Sequence, residues 1–304
     1  MWVLLPVAGI SSRLLVLVGA GAMVGFLSGL FGVSGGFLLT PVLIMLGIPP
    51  TVAAASDSCQ IIAGSSSGTA AHFRLGNVDV RLGTVLLLGG LAGGWLGVRV
   101  IKILRALGTA DFAITLTYVV MLGLIGGYMF AESLRNLRRD ALVPKSHRST
   151  RGESFLSKLP LQMDFPRSQI RHSVLVPFFL GGMVGIVAAI MGVGGGFIMV
   201  PMMVYLLRMP MHAAVGTDLF QILFTCAGVT YMQATTNHTV DLVLVLLLAA
   251  GSTIGAQVGA RGGRRLRGDQ IKILLASVVL LVMVKMALGL LLTPEIQLIP
   301  VKGH

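Results

Sequence analysis

Gly25 to Pro41 reads GFLSGLFGVSGGFLLTP, and Gly185 to Pro201 reads GIVAAIMGVGGGFIMVP. Gly25, Gly32, Val33, Gly35, Gly36, Phe37 and Pro41 each recur 160 residues later. A glycine in a helix interior costs about 1 kcal/mol relative to alanine, so neither knot continues a helix. One helix ends at each knot and a short one begins at Phe37 or Phe197, with Pro41 and Pro201 close to the new start. Short apolar segments after glycine breaks, at matching places in two halves, point to a membrane transporter whose helices open at a substrate site.

The rest of the chain agrees. Its 304 residues would allow one or two soluble domains, but 55% are hydrophobic, only 11% are charged, and the mean hydropathy is +0.90. Apolar runs of about 20 residues recur, the length that spans hydrocarbon as a helix. The 40 glycines concentrate inside those runs, as expected where helices pack closely in lipid. Ten apolar segments emerge, at about 14–32, 37–48, 52–73, 79–98 and 111–131, then 174–191, 197–208, 212–235, 240–260 and 271–292. Segments 37–48 and 197–208 are too short to span.

The net charge of +12 does not point to nucleic acid, because nine of the 23 Lys and Arg lie between Glu132 and His172 and most others sit at helix ends. That distribution is a topology signal. With the 132–172 loop in the cytoplasm and five segments per half, 17 Lys and Arg fall inside and five outside, with Lys285 in the last span. A parallel repeat would strand Arg261 to Lys272 outside, so the halves are expected to be inverted, with both termini external. The first residues, MWVLLPVAGISSRLLV, lack a basic stretch before the apolar one and read as mature protein rather than a cleaved signal.

Beyond the knots, Asp57-x-x-Gln60 matches Asp218-x-x-Gln221, and Val78-Asp79 matches Val240-Asp241. Gly89, Gly93 and Gly97 match Gly251, Gly255 and Gly259, a small-residue ridge read as packing. Helix starts carry unsatisfied N–H groups and a positive dipole end, which suit an anion. The knots Gly32-Val33-Ser34-Gly35-Gly36 and Gly192-Val193-Gly194-Gly195-Gly196 are therefore candidate anion sites, or else packing breaks between crossing helices. Asp57 and Gln60, like Asp218 and Gln221, share a helix face at i, i+3 spacing. A carboxylate at membrane depth usually faces a cavity, so Asp57 and Asp218 are candidate proton carriers, or else interfacial caps.

The other polar residues carry blander readings. Asp79 and Asp241 read as helix-start acids, Lys285 as a snorkelling cation, and Cys59 and Cys226 as small buried hydrophobes. Six scattered histidines make no metal spacing, and no nucleophile–base pair stands out, so neither cofactor nor catalysis is expected.

GLFGVSGGFLLTPVL together with IMGVGGGFIMVPMMV, then the AVGTD and VDL...GARGG stretches, resembles the TauE/SafE family of sulfite exporters, also called the toluene sulfonate uptake permease family. The likeness covers the chain apart from the 132–172 loop. It implies transport of sulfite, sulfoacetate or related organosulfonates across the bacterial plasma membrane. Two departures stand out: Ser34 where the second knot has Gly194, and Asp218 where many members carry a small hydroxyl residue. A carboxylate there repels an anion unless protonated.

The expected molecule is an all-α polytopic membrane protein of two homologous halves. Residues 1–131 form the first repeat, 132–172 a basic cytoplasmic loop, and 173–304 the second repeat. It is expected to export small sulfur-containing anions with proton coupling. Gly32, Ser34, Gly35, Gly36, Phe37, Gly192, Gly194, Gly195, Gly196, Phe197, Gln60, Thr217 and Gln221 would contact substrate. Its partners are the small anion and the lipid bilayer; oligomeric state stays open. A passive anion channel and a membrane-anchored partner subunit are the alternatives.

Overall fold

The computed structural model describes residues 2–31, 36–139, 162–165, 170–207, 209–263 and 268–292. Ten α-helices carry the fold: α1 Leu14–Phe31, α2 Gly36–Met45, α3 Pro50–Arg74, α4 Val80–Ala106, α5 Ala110–Arg139, α6 Leu175–Met191, α7 Gly196–Tyr205, α8 Met211–Met232, α9 Leu242–Gly263 and α10 Gly268–Leu292. They coincide with the ten apolar segments, and the ten-residue α2 and α7 are the short ones after the knots. Among the described residues five helices are long and apolar enough to cross a membrane: α4, α5, α8 with its π-helical extension Gln233–Asn237, α9 and α10. α3 is as long but too polar for that criterion, because Ser56, Asp57, Ser58, Gln60 and Ser65 to Ser67 lie along it.

Two β-hairpins were not legible from hydropathy. β1 (Trp2–Leu5) pairs with β2 (Ile10–Arg13), and β3 (Gln162–Phe165) with β4 (Ile170–Ser173). Trp2 faces Arg13 as Gln162 faces Ser173, so each half opens with the same hairpin in the same register, 160 residues apart. α5 also runs on to Arg139, into the connecting stretch.

The halves are interlocked. α1 packs against α9, and α6 of the second half packs in the same way against α4 of the first. Glycines permit both contacts. A Cβ on Gly255 would lie 2.0 Å from the Ala22 carbonyl oxygen, and one on Gly93 would lie 1.9 Å from that of Gly182. No side chain fits there, so the matched ridges are contact surfaces at which backbones touch. Gly21, Gly25 and Gly29 meet Leu248, Ser252 and Ala256 in turn, so α1 and α9 run parallel.

Repeat-equivalent helices meet in the opposite sense. Ile61 of α3 packs with Ile222 and Cys226 of α8, whereas Gly68, further along α3, approaches Leu219. α5 and α10 behave alike, Gly123 facing Met283 and Gly126 facing Val279. Both pairs are antiparallel. At their centre the equivalent rings of Phe37 and Phe197 stack, 5.6 Å apart.

Candidate functional site

The second knot shows how the break is made. α6 ends at Gly192, whose N–H bonds the Ala188 carbonyl at 2.7 Å and whose φ of 75° is left-handed. Gly194 and Gly195 follow at φ 71° and 80°, and α7 starts at Gly196. Only glycine holds such a run of positive φ without strain. The α6 end is braced from the other half by buried Tyr118 of α5, whose hydroxyl donates to the Met191 carbonyl. Gly32, Ser34 and Gly35, the first knot's candidates, lie outside the described residues.

Each short helix starts against a carboxylate. A Cβ on Gly196 would lie 2.8 Å from an Asp218 carboxylate oxygen, and one on Gly36 would lie 3.3 Å from Asp57 Oδ2. The positive end of each short helix thus already faces an acid of the chain, a stabilising pairing. The two sites then differ. Thr40 donates its hydroxyl to Asp57 Oδ2 at 2.7 Å, whereas the repeat places Val200 at the matching position beside Asp218. Oδ1 of both acids is buried and has no hydrogen-bond partner among the described residues.

A cavity of about 770 Å³ reaches Asp218. Ser28 of α1, Gln60 and Ser65 of α3, and Ser252, Thr253 and Gln257 of α9 form its polar wall. Gly36, Phe37, Gly196 and Phe197, from the starts of the two short helices, also line it. The Gln60 amide donates to Ser252 Oγ at 2.6 Å, tying α3 to α9 across the cavity. Among the described residues no Lys or Arg lines it, and its polar lining consists of hydroxyls, amides and the Asp218 carboxylate.

Of the candidate residues, Gly36, Phe37, Gly196, Phe197, Gln60 and Asp218 converge on this cavity. Asp57, Gly192, Gly194, Gly195, Thr217 and Gln221 are not in its wall. Thr217 accepts the backbone N–H of Asp79 at 3.0 Å, and its repeat equivalent Ser56 accepts that of Asp241 at 3.1 Å. These bonds tie α8 to the α4 start and α3 to the α9 start. Asp79 and Asp241 accept main-chain N–H groups of α4 and α9, as helix-start acids do. Asp241 also accepts the Val7 N–H in the β1–β2 turn. Lys285 is exposed on α10, away from the cavity; Cys226 is buried and Cys59 half-buried.

Thr40, Tyr118 and Ser252 were missed from sequence. Thr40 lies in the quoted window but differs from Val200, and a search for matches passes over differences. Ser252 stands inside the glycine ridge, where packing was the obvious role. Among the described residues no cluster of three or more His, Cys, Asp or Glu could hold a metal.

The sequence profile described as "Sulfite exporter TauE/SafE" matches residues 17–286. The chain is 27% identical to "Probable membrane transporter protein YjnA" of Bacillus subtilis, over 86% of this chain and 94% of that one. It is 24% identical to "Probable membrane transporter protein YunE" of the same organism, over 88% and 94%. It is 30% identical to "Sulfite exporter TauE/SafE family protein 1" of Arabidopsis thaliana, over 38% of this chain and 26% of that one. No solved structure matches.

Proposed function

The chain belongs to the sulfite exporter TauE/SafE family, and on that premise we propose that it exports small sulfur-containing anions, such as sulfite or an organosulfonate, together with protons. That it is a membrane transporter follows from the family and its named relatives. The observation that carries the finer reading is the cavity, which runs from a wall of hydroxyls and amides to the α7 start and there meets Asp218. Hydroxyl and amide donors suit an oxyanion in a site whose described lining has no cationic side chain. An ionised Asp218 occupies the helix end that the anion would use and repels it. Protonation of Asp218 removes both obstacles, so anion and proton load together.

The fold is proposed to be an inverted repeat in the bacterial inner membrane. The antiparallel packing of equivalent helices supports inversion, because a two-fold axis relating them must lie across the helices rather than along them. In the orientation with the 132–172 loop in the cytoplasm, the cavity opens inward. Its walls include the C-terminal parts of α1, α3, α5 and α9 and the beginning of α10, and α3 and α9 carry Arg74 and Arg261 in their last turns.

Sulfite flux into proteoliposomes, with and without an imposed pH gradient, tests the reading. Saturable, gradient-sensitive flux that loses its gradient dependence in Asp218→Asn is expected. Flux that rises linearly with concentration and ignores the gradient would mean a passive channel. Absence of sulfite flux from a verified reconstitution would remove sulfite and send the search to organosulfonates.

A further inference from the structure

The open cavity has a counterpart that the sequence repeat locates residue by residue. Gln60 corresponds to Gln221, Gly64 to Thr225, Ser65 to Cys226 and Ser252 to Gly90. On the first side half-buried Gln60 and Ser65, itself only 4% exposed, border the cavity, and Gln60 reaches across to Ser252. On the second side Gln221, Thr225 and Cys226 are 0%, 0% and 1% exposed. Gln221 turns back along its own helix and donates to Thr225 Oγ1 at 2.8 Å. Its Oε1 is buried with no partner among the described residues. α4 presses directly on this pair: a Cβ on Gly90 would lie 2.9 Å from both Gln221 Nε2 and Thr225 Oγ1.

A core position has no use for an unsatisfied amide oxygen, which packs worse than an apolar side chain of the same size. A polar group kept at the equivalent of a cavity wall, and closed over by a glycine, fits a wall whose cavity is shut. We infer that Gln221, Thr225 and Cys226 of α8, facing Gly90 of α4, form a second vestibule for the oxyanion, closed in this structure and opening on the opposite membrane face. This rests on the chain being an alternating transporter.

The two vestibules are unequal in chemistry. Ser28, Ser252, Thr253 and Gln257 of the open wall correspond to Ala188, Gly90, Leu91 and Trp95. The second vestibule therefore offers an oxyanion fewer donors and holds it more weakly. An exporter with this arrangement loads on the polar side and releases on the apolar one.

Cys226 is a built-in reporter, since Cys59 is the only other cysteine. The Cys59→Ser variant is treated with a charged, membrane-impermeant thiol reagent in inside-out and right-side-out vesicles. A companion, Cys59→Ser/Cys226→Ala/Ser65→Cys, reports the open cavity. Ser65→Cys is expected to react from one face only and Cys226 from the opposite face only. Adding Gly90→Val, which wedges α4 away from α8, speeds the Cys226 reaction about tenfold by shifting the population; Gly90→Ala is the milder wedge. Reaction of Cys226 from the same face as Ser65→Cys overturns the inference. So does a Cys226 that stays unreactive from both faces with either wedge in place. In oriented proteoliposomes, half-saturation by sulfite is expected at lower concentration from the cavity face; equal values overturn the weaker grip. Labelling does not depend on flux, so a failed sulfite assignment and a failed vestibule give different results.

Discussion

Asp57 and Asp218 occupy the same place in the two repeats, each against the first residue of a broken helix, and their surroundings differ. Asp57 is held by Thr40 and lies outside the cavity wall. Asp218 has Val200 where Thr40 would be, and it lines the cavity. Duplication supplied two copies of the framework, and a single difference, Thr40 against Val200, separates a braced acid from one that lines the cavity. Functional asymmetry in this fold is therefore to be sought where the repeats differ.

The largest effect is expected where the halves are alike. Gly255→Leu and Gly93→Leu each drive a side chain into a backbone carbonyl, and each should cost 3 kcal/mol or more, roughly the upper end of overpacking penalties. Thermal unfolding in detergent measures this, and similar losses from both would show that the two interlocked contacts carry the fold equally.

The acids should then separate sharply. Asp218→Asn is expected to lower gradient-driven flux about 100-fold, within the usual span of coupling energies. Asp57→Asn should keep the gradient dependence. A pair of variants with the same pH response would break the contrast drawn here.

Exchanging the neighbours tests its cause. Thr40→Val leaves Asp57 without its donor and should destabilise the protein by about 1–3 kcal/mol. Val200→Thr should give Asp218 a donor and blunt the dependence of flux on pH.

The smallest effect belongs to Ser252→Ala, which removes the acceptor of Gln60. A three- to tenfold rise in half-saturation is expected, roughly the worth of one neutral hydrogen bond. Unfolding temperature should hardly move.

Much of the architecture was open to reading along the chain, because lipid imposes a demand that hydropathy records directly. Every backbone polar group must be satisfied within a helix, so apolar length marks each span. The two segments after the knots stood out because they were too short. The hairpins escaped this reading, since strands of four residues are too short to leave such a mark. At the site, periodicity placed Asp57 with Gln60 and Asp218 with Gln221 on shared faces, but could not say which face opened. Thr217 shows the difficulty. Its polarity at membrane depth suggests substrate contact, and nothing along the chain reveals that its hydroxyl accepts the Asp79 N–H at the start of another helix.

By itself the sequence determined that the chain is helical and membrane-embedded, that it is duplicated, that each half breaks at a glycine knot, and which acids lie beside the breaks. These follow from local composition and from self-comparison. Tertiary structure alone decided that α1 of one half packs on α9 of the other, that Phe37 meets Phe197, and that Gln60 reaches Ser252 while Gln221 folds back on Thr225. The first three depend on contacts between distant residues, such as Gln60 with Ser252, 192 apart in the chain, and the last is a contact within one helix on which α4 presses. No periodicity within a segment encodes which partner a face will meet, because that choice is made by the fit of whole helices.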